Sequence, residues 1–213
     1  MTKEEVIRIL ENADLNDELN KYEVRDILDE KTKEPFKVNS GCSKICICFK
    51  NFPYVIKYSH NLYGDRTDNI DESVKEAELY QVAKAEGIEK FFPETEILCS
   101  INGVTFVMQE KIDYPVSETP YKKINKYKRI SRTTTRKIYQ KMQNEINNVP
   151  GGGRSLDSLW AGVAISLYGK KLCKKLCDFI VTYQINDLHG NNIGYKDDRP
   201  ILLDFSGYSR SNS

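Results

Sequence analysis

The chain has 213 residues, 39% of them hydrophobic and 30% charged, which is room for one domain or two small lobes with an ordinary soluble balance. Lys and Arg number 32 against 31 Asp and Glu, a net charge of +1, which disfavours a globally basic nucleic-acid binder and an acidic solvating chain alike. No apolar run approaches the roughly 18–20 residues of a membrane span, and Met1-Thr2-Lys3-Glu4-Glu5 is followed by no apolar leader segment. A cytoplasmic location with no transmembrane segment is expected.

The first 30 residues read as helical. Thr2 and Glu5 have capping-box spacing, and Val6, Ile9 and Leu10 form an apolar stripe. Asp14 is the expected cap of a second helix carrying Leu15, Leu19, Tyr22 and Ile27, and Pro35 ends the region. Phe36–Val38, Ile45–Phe49 and Tyr54–Tyr58, separated by turn residues, predict an antiparallel meander. Residues 71–86 predict a helix. Residues 96–112 predict two strands around Asn102-Gly103, a strong hairpin signal.

From Tyr121 to Lys141 there are nine basic residues and no acidic one, with Tyr121, Tyr127 and Tyr139 interleaved. Such a stretch is either a solvated helical insert or a platform for an anionic partner. Pro150 to Gly153 is a break. Ser155 to Tyr183 then predicts one long helix with Trp160, Val163, Leu167, Leu172, Leu176 and Ile180 on its apolar side. A polar loop from Ile185 to Asn192 and a strand from Ile201 to Phe205 follow. The six cysteines contain no C-x-x-C pair, and the reading adopted for them is small apolar side chains in a reducing compartment.

The informative residues lie late in the chain. Asp187 is followed by Asn192 five residues on, and Asp204 ends an apolar strand. That pattern is suited to phosphoryl transfer, with one Asp to position a hydroxyl and an Asn and a second Asp as oxygen ligands to Mg²⁺. Here the chain resembles the protein-kinase-like superfamily. Asp187-Leu188-His189-Gly190-Asn191-Asn192 stands for D-L-x-x-x-N and Asp204-Phe205-Ser206 for D-F-G. Tyr54-Val55-Ile56-Lys57 is similar to the third-strand V-A-I-K, Glu76 to the helix glutamate that pairs with that lysine (Glu78 being the other choice), and Phe106 to Glu110 to the strand entering the adenine hinge. The D-L-H loop is similar to that of aminoglycoside- and choline-kinase-like enzymes.

The resemblance implies an α+β, bilobal fold with a five-stranded antiparallel first-lobe sheet and one helix. Residues 1–35 would be an N-terminal helical extension, 36–112 the first lobe, and 113–213 a truncated helical second lobe with the basic insert 121–141. ATP and Mg²⁺ would lie between the lobes. Asp187, Lys57 and Glu76 would be the catalytic set. Gly41, Ser43, Lys57, Gln109, Glu110 and Lys111 would contact the nucleotide, Gln109 or Met108 as gatekeeper, and Asn192 and Asp204 would ligate the metal. The activity implied is γ-phosphate transfer to a hydroxyl acceptor, small molecule or protein. A non-catalytic nucleotide- or partner-binding module and AMP transfer are the alternatives. The chain departs from the family pattern in three places. Gly41 is a lone phosphate-loop glycine, Ile185-Asn186 replaces His-Arg, and few residues follow Asp204.

Overall fold

The computed structural model describes residues 1–41, 43–60, 71–112, 114–115, 132–149 and 156–206. They are α+β and divide into two units, Met1–Tyr80 with Glu94–Lys111, and Gln81–Pro93 with Ile112–Ser213.

In the first unit, α1 (Lys3–Ala13) starts where the sequence places it. The Thr2 hydroxyl accepts the Glu5 N–H at 3.3 Å and the Glu5 carboxylate accepts the Thr2 N–H at 2.7 Å, the reciprocal capping box. Asp14 does not cap the second helix. It sits in the left-handed region (φ 50°, ψ 45°) and ends α1, a conformation a short Asx side chain tolerates. Asn20, in extended backbone, caps α2 (Lys21–Lys31) instead, in a second box with Glu23. Tyr22 therefore points outward, 59% exposed, and Val24 and Leu28 are the buried residues of α2.

Five strands form an antiparallel sheet in the order β1-β2-β3-β5-β4. They are β1 (Phe36–Ser40), β2 (Lys44–Phe49), β3 (Tyr54–Ser59), β4 (Thr95–Ile101) and β5 (Val104–Glu110). Asn102 and Gly103 both take positive φ (50° and 84°), as a two-residue hairpin turn requires. Strand alternation divides the sheet chemically. Ile45, Ile47 and Phe49 of β2, Ile56 and Tyr58 of β3, and Val104, Phe106 and Met108 of β5 join one core with Val6, Leu10, Leu15, Val24 and Leu28. Residues 1–35 thus share the sheet's hydrophobic core. Lys44, Lys57 and Gln109 alternate to the other face, toward α3 (Glu72–Ala85).

The second unit contains a 3₁₀ turn (Glu89–Phe91), α4 (Arg132–Ile146), α5 (Ser158–Thr182) and a three-stranded sheet in the order β6-β7-β8. Its strands are β6 (Tyr114–Pro115), β7 (Ile193–Lys196) and β8 (Arg199–Leu202). Asp157 caps α5, accepting the N–H groups of Leu159 and Trp160 at 2.9 and 2.8 Å. Fully buried Trp160 donates its indole N–H to the Gly194 carbonyl at 3.1 Å and so ties α5 to β7. Phe92 packs on Phe179 and Phe205, with ring centroids 5.3 and 4.9 Å apart.

Two expectations change in this unit. The long helix is interrupted at Gly169 (φ 75°, ψ 169°), a backbone state that glycine adopts at little cost. The last strand ends at Leu202, leaving Leu203 to Phe205 outside the ladder. Of the basic stretch 121–141, residues 121–131 lie outside the described residues. Its final part is the start of α4, whose Met142 and Ile146 are buried. Cys173 and Cys177 are buried free thiols, each pushed up to about 12 chiefly by burial. Among the described residues no helix is long and apolar enough to cross a membrane.

Leu10→Ala tests whether α1 belongs to the sheet's core. Leu10 is fully buried, so the substitution should cost about 2–5 kcal/mol in urea unfolding. A loss below about 0.5 kcal/mol, the range of ordinary surface changes, would contradict that packing.

Candidate functional site

The first cluster begins with how α3 is held to β3. Asp71 accepts the N–H groups of Ser73 and Val74 at 3.0 and 3.2 Å, an N-cap arrangement. The Ser59 hydroxyl, at the end of β3, donates to Asp71 Oδ1 at 2.7 Å and accepts the Ser73 N–H at 3.1 Å. The strand end and the helix start are therefore clamped together. About one turn into α3, Glu76 reaches Lys57, two residues before Ser59 on the same face of β3.

Glu76 is fully buried, and its two carboxylate oxygens are met by two lysines. Lys57 Nζ lies 3.0 Å from Oε2 and Lys44 Nζ 2.7 Å from Oε1. Gln109 Nε2 lies 3.4 Å from Oε2 and 3.3 Å from Thr95 Oγ1. Lys44 is also 3.9 Å from Glu72, whose carboxylate accepts the Ser43 hydroxyl. A buried carboxylate is costly unless charge and hydrogen bonds compensate it. Here two ammonium groups and an amide do so.

Lys44 is the residue that sequence reasoning missed. The signal was the register. β2 and β3 pair Lys44 with Ser59 and Cys46 with Lys57, which puts both lysines on one face as diagonal neighbours. The hydrophobic run after Lys44 drew attention to the other face.

The remaining nucleotide candidates are distributed as follows. Ser43 and Gln109 belong to the cluster. Gly41 lies beside it in sequence, and its N–H donates to the Lys44 carbonyl at 2.9 Å. A Cβ added at Gly41 would meet none of the described residues within 4 Å. Glu110 pairs with Tyr54 at the end of β5. Lys111 is bound elsewhere, its ammonium donating to the carbonyls of Phe49, at 2.6 Å, and Phe52.

In the second unit the loop between α5 and β7 is pinned by buried Ile185 and Leu188. Asn192 Nδ2 donates to the Asp187 carbonyl and to Asp187 Oδ2, both at 2.9 Å. The Asn192 N–H donates to the His189 carbonyl at 2.8 Å. His189 Nδ1 accepts the Asn191 N–H at 3.1 Å, which leaves Nε2, 3.5 Å from Asp187 Oδ2, as the protonated nitrogen of a neutral ring. The Leu203 N–H donates to the Asn192 carbonyl at 2.8 Å, bringing the residue before Asp204 against Asn192. The Ser206 hydroxyl donates to Asp204 Oδ1 at 3.3 Å, and Phe205 is fully buried.

The loop and the end of β8 thus assemble Asp187, Asn192 and the Asp204 segment. Among the described residues no three His, Cys, Asp or Glu side chains are grouped to hold a metal, so a closed thiolate or histidine site has no support there. The expected ligands carry hard oxygens instead. Asn192 commits its amide nitrogen to Asp187, so its amide oxygen and the Asp204 carboxylate are the atoms that would hold a cation. Two protein oxygens fit Mg²⁺, which keeps several waters and binds substrate phosphates.

Glu76→Gln should destabilise the fold by about 3–5 kcal/mol in urea unfolding, because two buried lysines lose their shared counter-charge. A loss under about 1 kcal/mol would mean that the cluster is hydrated and loosely held.

Compared with protein-family models, with curated proteins and with solved structures, the chain matches none.

Proposed function

We propose that the chain is an ATP- and Mg²⁺-dependent phosphotransferase with a compact kinase-like, bilobal fold. The observation that carries this reading is the buried pair of Lys57 on β3 and Glu76 on α3, at 3.0 Å. A lysine held by a buried helix glutamate is a preset cation for phosphate oxygens. The hydrogen-bonded Asp187 and Asn192, at the sequence spacing of a phosphotransfer loop, support the same reading.

In this proposal Lys57 meets the α/β-phosphates and Glu76 orients it. Gly41, with no side chain and no described residue where its Cβ would stand, lets phosphate approach the backbone. Asn192 and Asp204 would hold Mg²⁺, which would supply charge neutralisation. Asp187, steadied by Asn192 and His189, orients the acceptor hydroxyl and takes its proton as the oxygen bonds to the γ-phosphorus and the β–γ bridge is cleaved to leave ADP. Most of the rate gain comes from positioning and fixed charge. Acceptor recognition is assigned to the basic stretch 121–141, of which Arg136, Lys137 and Lys141 are exposed on α4.

A second reading, a binding module without catalysis, draws on one feature. Lys44 and Lys57 are balanced by Glu72 and Glu76, so the cluster has no surplus positive charge to attract phosphate.

A thermal-shift titration with Mg-ATP tests the first reading, since the binding module need take no nucleotide. A ligand taken only by the native state stabilises it by about 2.7 kcal/mol at 100 times Kd. The wild type should gain melting temperature, and Asp204→Ala should lose most of the gain. No shift at millimolar Mg-ATP would remove the nucleotide site altogether. A shift without ADP formation on any hydroxyl acceptor would favour the binding module.

A further inference from the structure

Within the second unit, α4 and α5 line a half-open groove of about 240 Å³. Helical spacing explains its lining. Lys137, Ile138, Lys141 and Met142 share one side of α4, and Lys170, Lys174 and Cys177 recur at i, i+4 and i+7 along α5. The floor is apolar. Met142 is 4% exposed and Cys177 fully buried. The Cys177 thiol, pushed up to about 12 by burial and by its bond to Glu145, carries no charge at neutral pH.

The rim is cationic. Four lysines stand there against a single carboxylate, Glu145. Lys174 pairs with Asp178 at 2.8 Å, and Lys141 lies 3.9 Å from Glu145. Lys137 and Lys170 pair with no carboxylate among the described residues. The helix adds a second argument. The break at Gly169 restarts α5, so Lys170, Lys171, Lys174 and Lys175 occupy the first two turns of a new helical segment. Cations are disfavoured at the positive end of a helix dipole. A bound anion would turn that local conflict into attraction.

We infer that this groove binds a free single-chain alkyl anion, with the chain on Ile138, Met142 and Cys177 and a phosphate or carboxylate head among the lysines. A nucleotide fits less well, because among the described residues the lining has neither an aromatic ring nor an arginine for a base to stack on. The volume is below the roughly 300–1,000 Å³ of drug-sized sites, so the chain is short. The apolar floor lies in a groove of only about 240 Å³ between lysines of both helices, which fits one chain better than a broad membrane face. This inference is independent of the nucleotide reading.

The chain has three methionines, Met1, Met108 and Met142, so a methyl-¹³C-methionine spectrum of the whole protein isolates the groove floor in one resonance. Met142→Leu assigns it. Octyl phosphate should shift the Met142 signal saturably and leave Met1 and Met108 in place. The double variant Lys137→Gln/Lys170→Gln, with the melting temperature retained because both side chains are exposed, should bind at least about tenfold more weakly. Equal affinity in that variant, or an equal response to octanol, would overturn the anionic head. An equal response to inorganic phosphate alone would overturn the chain pocket. Binding to phosphatidylglycerol vesicles with no saturable response to octyl phosphate would overturn the free ligand in favour of a membrane surface.

Discussion

A carboxylate with no access to water sets the terms for the first unit. Glu76 is fully buried, and its charge is tolerated because Lys44 and Lys57 each contact one of its oxygens. Those contacts require β2 and β3 in one register, α3 at one height along the sheet, and Gln109 of β5 beside them. The Ser59–Asp71–Ser73 clamp supplies the height. The opposite face of the same strands is hydrophobic and shared with α1 and α2. One set of alternating side chains therefore builds the core on one face and a charge cluster on the other.

The doubled lysine has a functional consequence within the proposed activity. If Lys57 alone balanced Glu76, turning its ammonium toward a phosphate would weaken compensation of a buried charge. With Lys44 at 2.7 Å, Glu76 keeps a close counter-charge while Lys57 engages ligand. The second unit uses a different device. Its catalytic candidates sit on an irregular segment, where backbone groups need individual partners. Buried Ile185, Leu188 and Phe205 anchor that segment, and Asn192 ties both of its halves to one another.

What the sequence revealed was mostly local or periodic. The Thr2–Glu5 box, the meander and the Asn102-Gly103 turn are short-range chemistry, and all three stand in the structure. Pairing of Lys57 with Glu76 was implied by the family resemblance, with Glu78 as the other choice, whereas the hydrogen bond between Asp187 and Asn192 was not foreseen. Lys44 was not legible, because its role depends on strand register rather than on neighbours in sequence. Asn20 rather than the expected Asp14 caps α2 because of backbone state, extended at Asn20 and left-handed at Asp14. The break at Gly169 had a signal in the five-residue step from Leu167 to Leu172, which a continuous helical stripe does not favour, and Leu167 is in fact 43% exposed.

The central claim is that Lys57 is a phosphate ligand held by Glu76. Calorimetric titration of Mg-ATP into the wild type and into Lys57→Met tests it most directly, with circular dichroism to establish that the variant is folded. The account predicts that Lys57→Met binds Mg-ATP at least about tenfold more weakly. An unchanged affinity in a folded Lys57→Met protein would contradict it and leave the cluster with a purely structural role.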